Sequence, residues 1–299
     1  MRRLRAIAVL MAILLFGAAA LGGVLALLDR RSSSGDMVII GSKLDTEGIL
    51  LAEILSQRLE QSGLRVDRRF PLGGTKIVFE AARSGAIDLY PEYTGTGLMA
   101  ILEHPPMTDP AAVLKVVREQ FAARHDLVWL DPFGFNNTYA LAMPQSLAER
   151  LGVRRISDLA RHPELRAGFA PEFLARPDGW PGLREKYGLR FGDGPGTMDA
   201  GLMYQAAADG QVDVISAYST DGRIDTLHLL VLEDDRRFFP PYEAAVLVRR
   251  DALARHPRLG EVLATLGGRI PEADIRKMNA QIDAGTKSAA EVAAEFLRK

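Results

Sequence analysis

The chain has 299 residues, 47% of them hydrophobic and 25% charged, which exceeds one average domain and suits a globular protein with full cores, two domains being the natural division. Lys+Arg 37 against Asp+Glu 38 leaves a formal net charge of -1, so there is no overall basic field to hold nucleic acid or another polyanion. Cys 0 excludes disulfides, a thiol nucleophile and a lipid-modified N-terminal cysteine, so the core alone must stabilise the fold.

Residues 1–36 read as an export segment. Arg2, Arg3 and Arg5 precede an uncharged run from Ala6 to Leu28, and Asp29, Arg30, Arg31 and a Ser/Gly stretch follow. Ala18 and Ala20 offer a small-x-small cleavage site. The run also exceeds the roughly 20 residues that span a bilayer, so an uncleaved membrane anchor is the alternative.

From Met37 the chain alternates. Met37 to Ile40 predicts a buried strand and Gly41-Ser-Lys43 a turn; Asp45 or Thr46 caps a helix to Gln61, whose Leu51, Leu55 and Leu59 form a stripe that Gly63 stops. Leu64 to Phe70 alternates as a strand does. Gly73-Gly74-Thr75 opens a helix to Arg83, and Ala86 to Tyr90 is the next strand, expected to end at Pro91 because proline has no N–H to donate. Tyr93 to Gly97, with an aromatic, two hydroxyls and two glycines, predicts a ligand-facing loop. A helix over Pro110 to His125 and a strand over Leu127 to Leu130 complete the first set of βα units.

The pattern restarts after Asp131. Asp-Pro-Phe-Gly-Phe-Asn-Asn is turn-forming and marks a crossover over 132–137. Beyond it come a strand from Thr138 to Met143, a helix to Leu151, a strand from Arg166 to Ala170, a helix around Phe173, and strands Val212 to Tyr218 and Leu229 to Leu232. Pro240-Pro241 marks the return, with a second crossover over 234–239. The tail is helical, with Pro257 and Pro271 starting helices and a last helical run from Ala284 to Leu297. Repeated βα units predict an α/β fold of mostly parallel sheets with helices on both faces.

Enzymatic signatures are absent: no Gly-x-Ser-x-Gly elbow, no phosphate loop, no His-Glu-x-x-His. His104, His125, His162, His228 and His256 stand singly, as surface or helix-end histidines do. Gly95-Thr-Gly97-Leu-Met-Ala100 fits a dinucleotide fingerprint only superficially, because Pro91 and Glu92 interrupt the strand-to-turn geometry it needs. What stands out is aromatics beside turns. Tyr93, Tyr139, Tyr218 and Tyr242 all fall at strand or crossover ends, and several phenol rings around one cavity suit a quaternary ammonium, which has no donor hydrogen but is drawn to a π-face by roughly 0.5 to 2 kcal/mol per ring.

Six motifs then carry a resemblance: Gly41-Ser-Lys43, Leu72-Gly-Gly-Thr75, Asp88-Leu-Tyr-Pro-Glu-Tyr-Thr-Gly-Thr96, Asn136-Asn-Thr-Tyr-Ala-Leu-Ala142, Ala217-Tyr-Ser-Thr-Asp-Gly-Arg223 and Phe239-Pro-Pro-Tyr242. In this order and spacing, over about residues 38–299, the chain resembles the substrate-binding proteins of ATP-binding-cassette importers for glycine betaine, carnitine and choline. The resemblance implies a two-lobed periplasmic binding protein fold, type II-like, with lobe I at 37–131 plus 240–299, lobe II at 138–233, and closure about the two crossovers. It implies an aromatic cage of Tyr93, Tyr139, Tyr218 and Tyr242, with backbone near Asn137 contributing, and a carboxylate site at Lys43, Thr96 and Arg176. It also implies a monomer without cofactor or enzymatic activity that delivers its ligand to an inner-membrane permease served by a separate ATPase. Choline, carnitine or ergothioneine is the alternative ligand, and an enzyme acting on a methylammonium compound the alternative class. Relatives read Gly-Ser-Lys-Asn-Phe-Thr-Glu-Gln in the first loop, whereas Leu44, Asp45 and Gly48 here replace the Asn, Phe and Gln, so no amide at position 48 reaches a ligand. Trp129 and Trp180 are expected in the core and on a lobe surface rather than in the cage.

Overall fold

The computed structural model describes residues 37–199 and 201–298; the export segment expected over residues 1–36 lies outside them. Two five-stranded sheets share the described chain. The first begins with β1 (Met37–Lys43), β2 (Arg65–Gly73), β3 (Leu89–Tyr93) and β4 (Leu127–Trp129). The chain then crosses and builds β5 (Tyr139–Pro144), β6 (Ala167–Phe169), β7 (Gly196–Thr197), β8 (Val214–Tyr218) and β9 (Leu229–Val231), before returning to the first sheet as β10 (Ala244–Arg249). The sheet orders are β2-β1-β3-β10-β4 and β7-β6-β8-β5-β9. Each sheet therefore has the same plan. The strand that follows a crossing, β5 or β10, runs against both neighbours, and the remaining strands share one direction.

Helices cover both faces, as the βα alternation predicts. On one face of the first sheet, α1 (Thr46–Gln61) sets Leu51, Leu55 and Leu59 on Val38 and Ile40. Each such leucine contributes about 1.5–3 kcal/mol through burial. On the opposite face α2 (Thr75–Ser84) and α3 (Pro110–His125) supply Val78, Phe79, Val117 and Phe121, and Trp129 is enclosed with them. The second sheet is flanked by α4 (Pro171–Ala175) and by Trp180 and Phe191 on one side, and by Met203, Tyr204 and Ala207 on the other. Trp180, at 8% exposure, is thus a core residue of the second lobe and not a surface one. Late in the chain α5 (Glu272–Asp283) and α6 (Ala289–Leu297) pack back on the first lobe.

Beyond the extension of β1 through Gly41-Ser-Lys43, where the sequence predicts a turn, four local expectations change. Pro91 does not end its strand, because it sits opposite Val246 inside the β3/β10 ladder. Thr94 N donates to the Glu243 carbonyl and Arg249 N to that of Asp88, so by alternation Pro91 takes a non-hydrogen-bonded site toward β10. On its other side the pairing with β1 has already stopped at Ile40 and Leu89, so the missing N–H costs no bond. Secondly, the stretch after Tyr93 is helical, over Thr94–Thr96 and then Gly97–Ile101, with π-helical geometry in the latter. Its glycines serve close packing: a Cβ on Gly97 would lie 2.6 Å from the Trp129 ring, and one on Gly95 2.6 Å from the Pro241 carbonyl. The final helix starts only at Ala289, since Gly285 at φ 66° breaks α5 and Ser288 with Glu291 forms a capping box. Lastly, His256 is buried at 7% exposure, and helix formation after Pro257 waits until Leu259.

Candidate functional site

The two crossings are stitched to each other. Asn136 forms a bridge with Glu243; Tyr242 N donates to Asn136 Oδ1 at 2.6 Å, Asn137 N to the Tyr242 carbonyl at 3.0 Å, and the Thr138 hydroxyl to the Pro240 carbonyl at 3.2 Å. From the second lobe, the Ser219 hydroxyl donates to the Asn136 carbonyl at 2.8 Å. The Asn-Asn-Thr and Pro-Pro-Tyr motifs are therefore two halves of one junction. Phe238 and Phe239, in the expected second crossover, pack with the second lobe's core, and Asp234 accepts from both of their N–H groups.

Beside this junction lies a cavity of about 940 Å³ between the two lobes. Every sequence-predicted site residue lines it: Lys43, Tyr93, Thr96, Asn137, Tyr139, Arg176, Tyr218 and Tyr242. They arrive from seven places in the fold: β1, the end of β3 and its helical turn, the first crossing, the start of β5, the end of α4, the end of β8, and the segment just before β10. Register explains part of this. In the β5/β8 pair Tyr139 stands directly opposite Tyr218, and their rings stack at 5.1 Å with 25° between planes. The Arg176 guanidinium lies 5.8 Å from the Tyr139 ring centroid. Tyr242 donates its hydroxyl to Asp178 at 3.0 Å, and its ring lies against Gly95, where a Cβ would come within 2.8 Å of the ring. Burial raises the phenol pKa of all four tyrosines, with the Glu47 charge adding to this at Tyr93 and the Asp178 charge at Tyr242. The rings therefore stay neutral, with intact π-faces.

Both predicted cations already have anionic partners. The Lys43 ammonium pairs with Glu92, a fully buried carboxylate, and also lies 4.9 Å from the Tyr93 ring centroid. Arg176 holds Asp178 through Nε and Nη2, at 2.8 and 2.7 Å, which raises its pKa further. Donor capacity remains on each, because an ammonium has three N–H groups and a guanidinium five. The backbone N–H of Asn137 is spent on Tyr242, so the crossing offers the cavity a side chain rather than a main-chain donor.

Sequence reasoning missed Glu47, Asp45, Glu172, Asp221, Arg223, Asn279 and Asp283 on the same lining. Glu47 is 5% exposed and accepts from the Tyr93 hydroxyl at 2.6 Å, Asn137 Nδ2 at 3.0 Å and Asn279 Nδ2 at 2.8 Å. An acid in the first turn of a helix reads in sequence as a helix-dipole partner, which hid it. Asn279 and Asp283 are four apart on α5, and nothing local marks them. The departures at Leu44 and Gly48 do not reach the cavity: Leu44 is 64% exposed, while Gly48 is buried and its N–H donates to the N-cap carboxylate of Asp45. Asp45 does line it.

The description "Substrate binding domain of ABC-type glycine betaine transport system" matches residues 36–299. A "Glycine-betaine-binding protein" of Pseudomonas aeruginosa is 40% identical over 271 residues, covering 87% of this chain and 86% of that one. A "Carnitine transport binding protein OpuCC" of Listeria monocytogenes is 35% identical over 271 residues, 89% of this chain and 88% of its own. Among solved structures, "Crystal structure of glycine betaine/carnitine/choline ABC transporter" superposes with a TM-score of 0.83 at 32% identity, covering 87% of this chain and 97% of that chain.

Proposed function

Because the chain belongs to the family of substrate-binding domains of ABC-type glycine betaine transport systems, we propose that it captures a quaternary ammonium solute, glycine betaine or a close analogue, in the cavity between its lobes. The family consists of extracytoplasmic solute-binding proteins and not enzymes, and its transport role implies a permease partner. The observation that carries the ligand reading is the convergence of Tyr93, Tyr139, Tyr218 and Tyr242 on one cavity from separate strands and crossings. Rings around a trimethylammonium group contribute about 0.5–2 kcal/mol each once water is excluded. In this reading the remaining N–H groups of Lys43 and Arg176, with the Thr96 hydroxyl, receive the carboxylate of a betaine.

In this reading the lobes, 37–131 with 240–299 and 138–233, close on the ligand about the crossings at 132–137 and 234–239. Ligand stabilises the closed arrangement because it touches both walls at once, and the permease engages that arrangement. The protein acts as a monomer, its ATPase is a separate chain, and residues 1–36 export it, with or without remaining as a tether.

A second ligand, choline, is favoured by one observation: both candidate carboxylate-binding cations are already ion-paired within the protein. Calorimetric titration of protein unfolded and refolded to remove carried-over ligand separates the two. Micromolar betaine binding, about -8 kcal/mol, weakened in Arg176→Ala by about 1 kcal/mol or more while choline is unaffected, supports the betaine reading. Equal losses for both ligands rule out Arg176 as the carboxylate contact. Binding of neither to the unaltered protein overturns both the betaine and the choline readings.

A further inference from the structure

The cavity wall contains a carboxylate without a counter-ion. Glu47 is buried in the first turn of α1, and its partners Tyr93, Asn137 and Asn279 are neutral donors from β3, the first crossing and α5. Burial pushes its pKa up, and hydrogen bonds from these groups and Thr220 pull it down. The cations nearby on the lining are engaged elsewhere. Lys43 pairs with Glu92, Arg223 with Asp221 and Arg176 with Asp178. On α5, Arg276 pairs with Asp225 and Glu272, and Asp283 accepts from the Thr46 hydroxyl; Asp45, ahead of α1, accepts from Gly48 N.

We infer that Glu47 is the counter-charge for the ammonium group of the ligand: the positive charge this wall lacks arrives with the solute. This rests on the quaternary ammonium reading of the cavity. Isolated carboxylates are rarely buried without a cation, since desolvation costs several kcal/mol, and a wall facing a ligand site is where the cation comes from outside. The surrounding amides are arranged for the ionised form. Asn137 and Asn279 both turn nitrogen toward Glu47, which leaves their side-chain oxygens buried without a partner. A protonated carboxyl would instead donate to one of those oxygens. The Tyr93 hydroxyl, by donating its proton to an ionised carboxylate, also leaves its ring more electron-rich toward a cation.

The test uses ligand pairs that differ only in charge: choline against tert-butylethanol, and glycine betaine against tert-butylacetate, carbon replacing nitrogen in each. Titrations compare the unaltered protein with Glu47→Gln, whose fold is checked by its melting transition; the Gln amide can donate to the orphaned asparagine oxygens. We expect the ammonium ligand to lose about tenfold or more in affinity in Glu47→Gln while its tert-butyl analogue is unchanged. Binding to the unaltered protein should also weaken as the pH falls into the carboxylate range, with proton release on binding that Glu47→Gln lacks. Retention by Glu47→Gln of full affinity and full discrimination would overturn the assignment while leaving the cavity's ligand class intact. If Glu47→Gln fails to fold, a pH-independent affinity in the unaltered protein overturns it as well. If no ammonium ligand binds the unaltered protein, the underlying quaternary ammonium reading fails first.

Discussion

Tyr93 and Tyr218 both end a strand at the cleft, yet the two walls use them differently. Tyr93, on the first lobe, is 7% exposed, its hydroxyl is committed to Glu47, and Lys43 lies 4.9 Å from its ring centroid. Tyr218, on the second lobe, is 40% exposed and stacks on Tyr139. The first wall is a hydrogen-bonded frame that fixes charges in place; the second presents ring surface. A hinged clamp gains from such a division, because the polar frame is hydrogen-bonded before ligand arrives and lacks only the cation for Glu47, while the exposed face of Tyr218 is covered on closure.

The sharpest way to break this contrast is truncation on the second wall. Tyr139→Ala removes a ring that is 8% exposed and packed on Phe173, so it should cost about 3 kcal/mol of fold stability as well as affinity. Tyr218→Ala should instead weaken binding by about 1–2 kcal/mol with much the smaller change in melting temperature. Equal stability losses for both would show that Tyr218 is a packing residue.

Next in size is Tyr93→Phe, which keeps the ring and removes one donor from buried Glu47. A loss of about 1–3 kcal/mol in stability, read by denaturant unfolding, is expected with little change in ligand discrimination. The reverse pattern would show that the Tyr93 hydroxyl, and not only its ring, serves the ligand.

The smallest effect is in the pH dependence of the ligand-free protein. Burial raises the folded-state pKa of Glu47 above its ordinary 4.5, so its contribution to stability is fully present below that value and is lost as pH rises through the folded pKa. Glu47→Gln should therefore be the more stable protein at neutral pH, with the difference shrinking on acidification. A difference in melting temperature that stays constant with pH would mean that Glu47 does not change its ionisation on folding.

Much of this was legible beforehand where local chemistry is decisive. Asp45 caps α1, Gly63 in the left-handed region stops it, and its leucine stripe is buried, because caps, φ and helical period act within one turn of chain. The tyrosines were visible because strand ends and turns leave compositional marks. Pro91 was misplaced because whether a proline interrupts a ladder depends on which side is paired, a property of β1 and β10 rather than of β3.

By itself, then, the sequence determined the α/β alternation, the two crossings, the absence of cysteine chemistry and the set of aromatic and basic residues that could meet a small cation with a carboxylate. Only the tertiary structure decided how those charges are used. Glu92 lies forty-nine positions from Lys43, and Asn279 lies 232 from Glu47. A charge's partner is set by distances of a few ångströms, because Coulomb and hydrogen-bond energies fall off over that range. The packing of distant segments therefore leaves Lys43 and Arg176 paired and Glu47 without a cation.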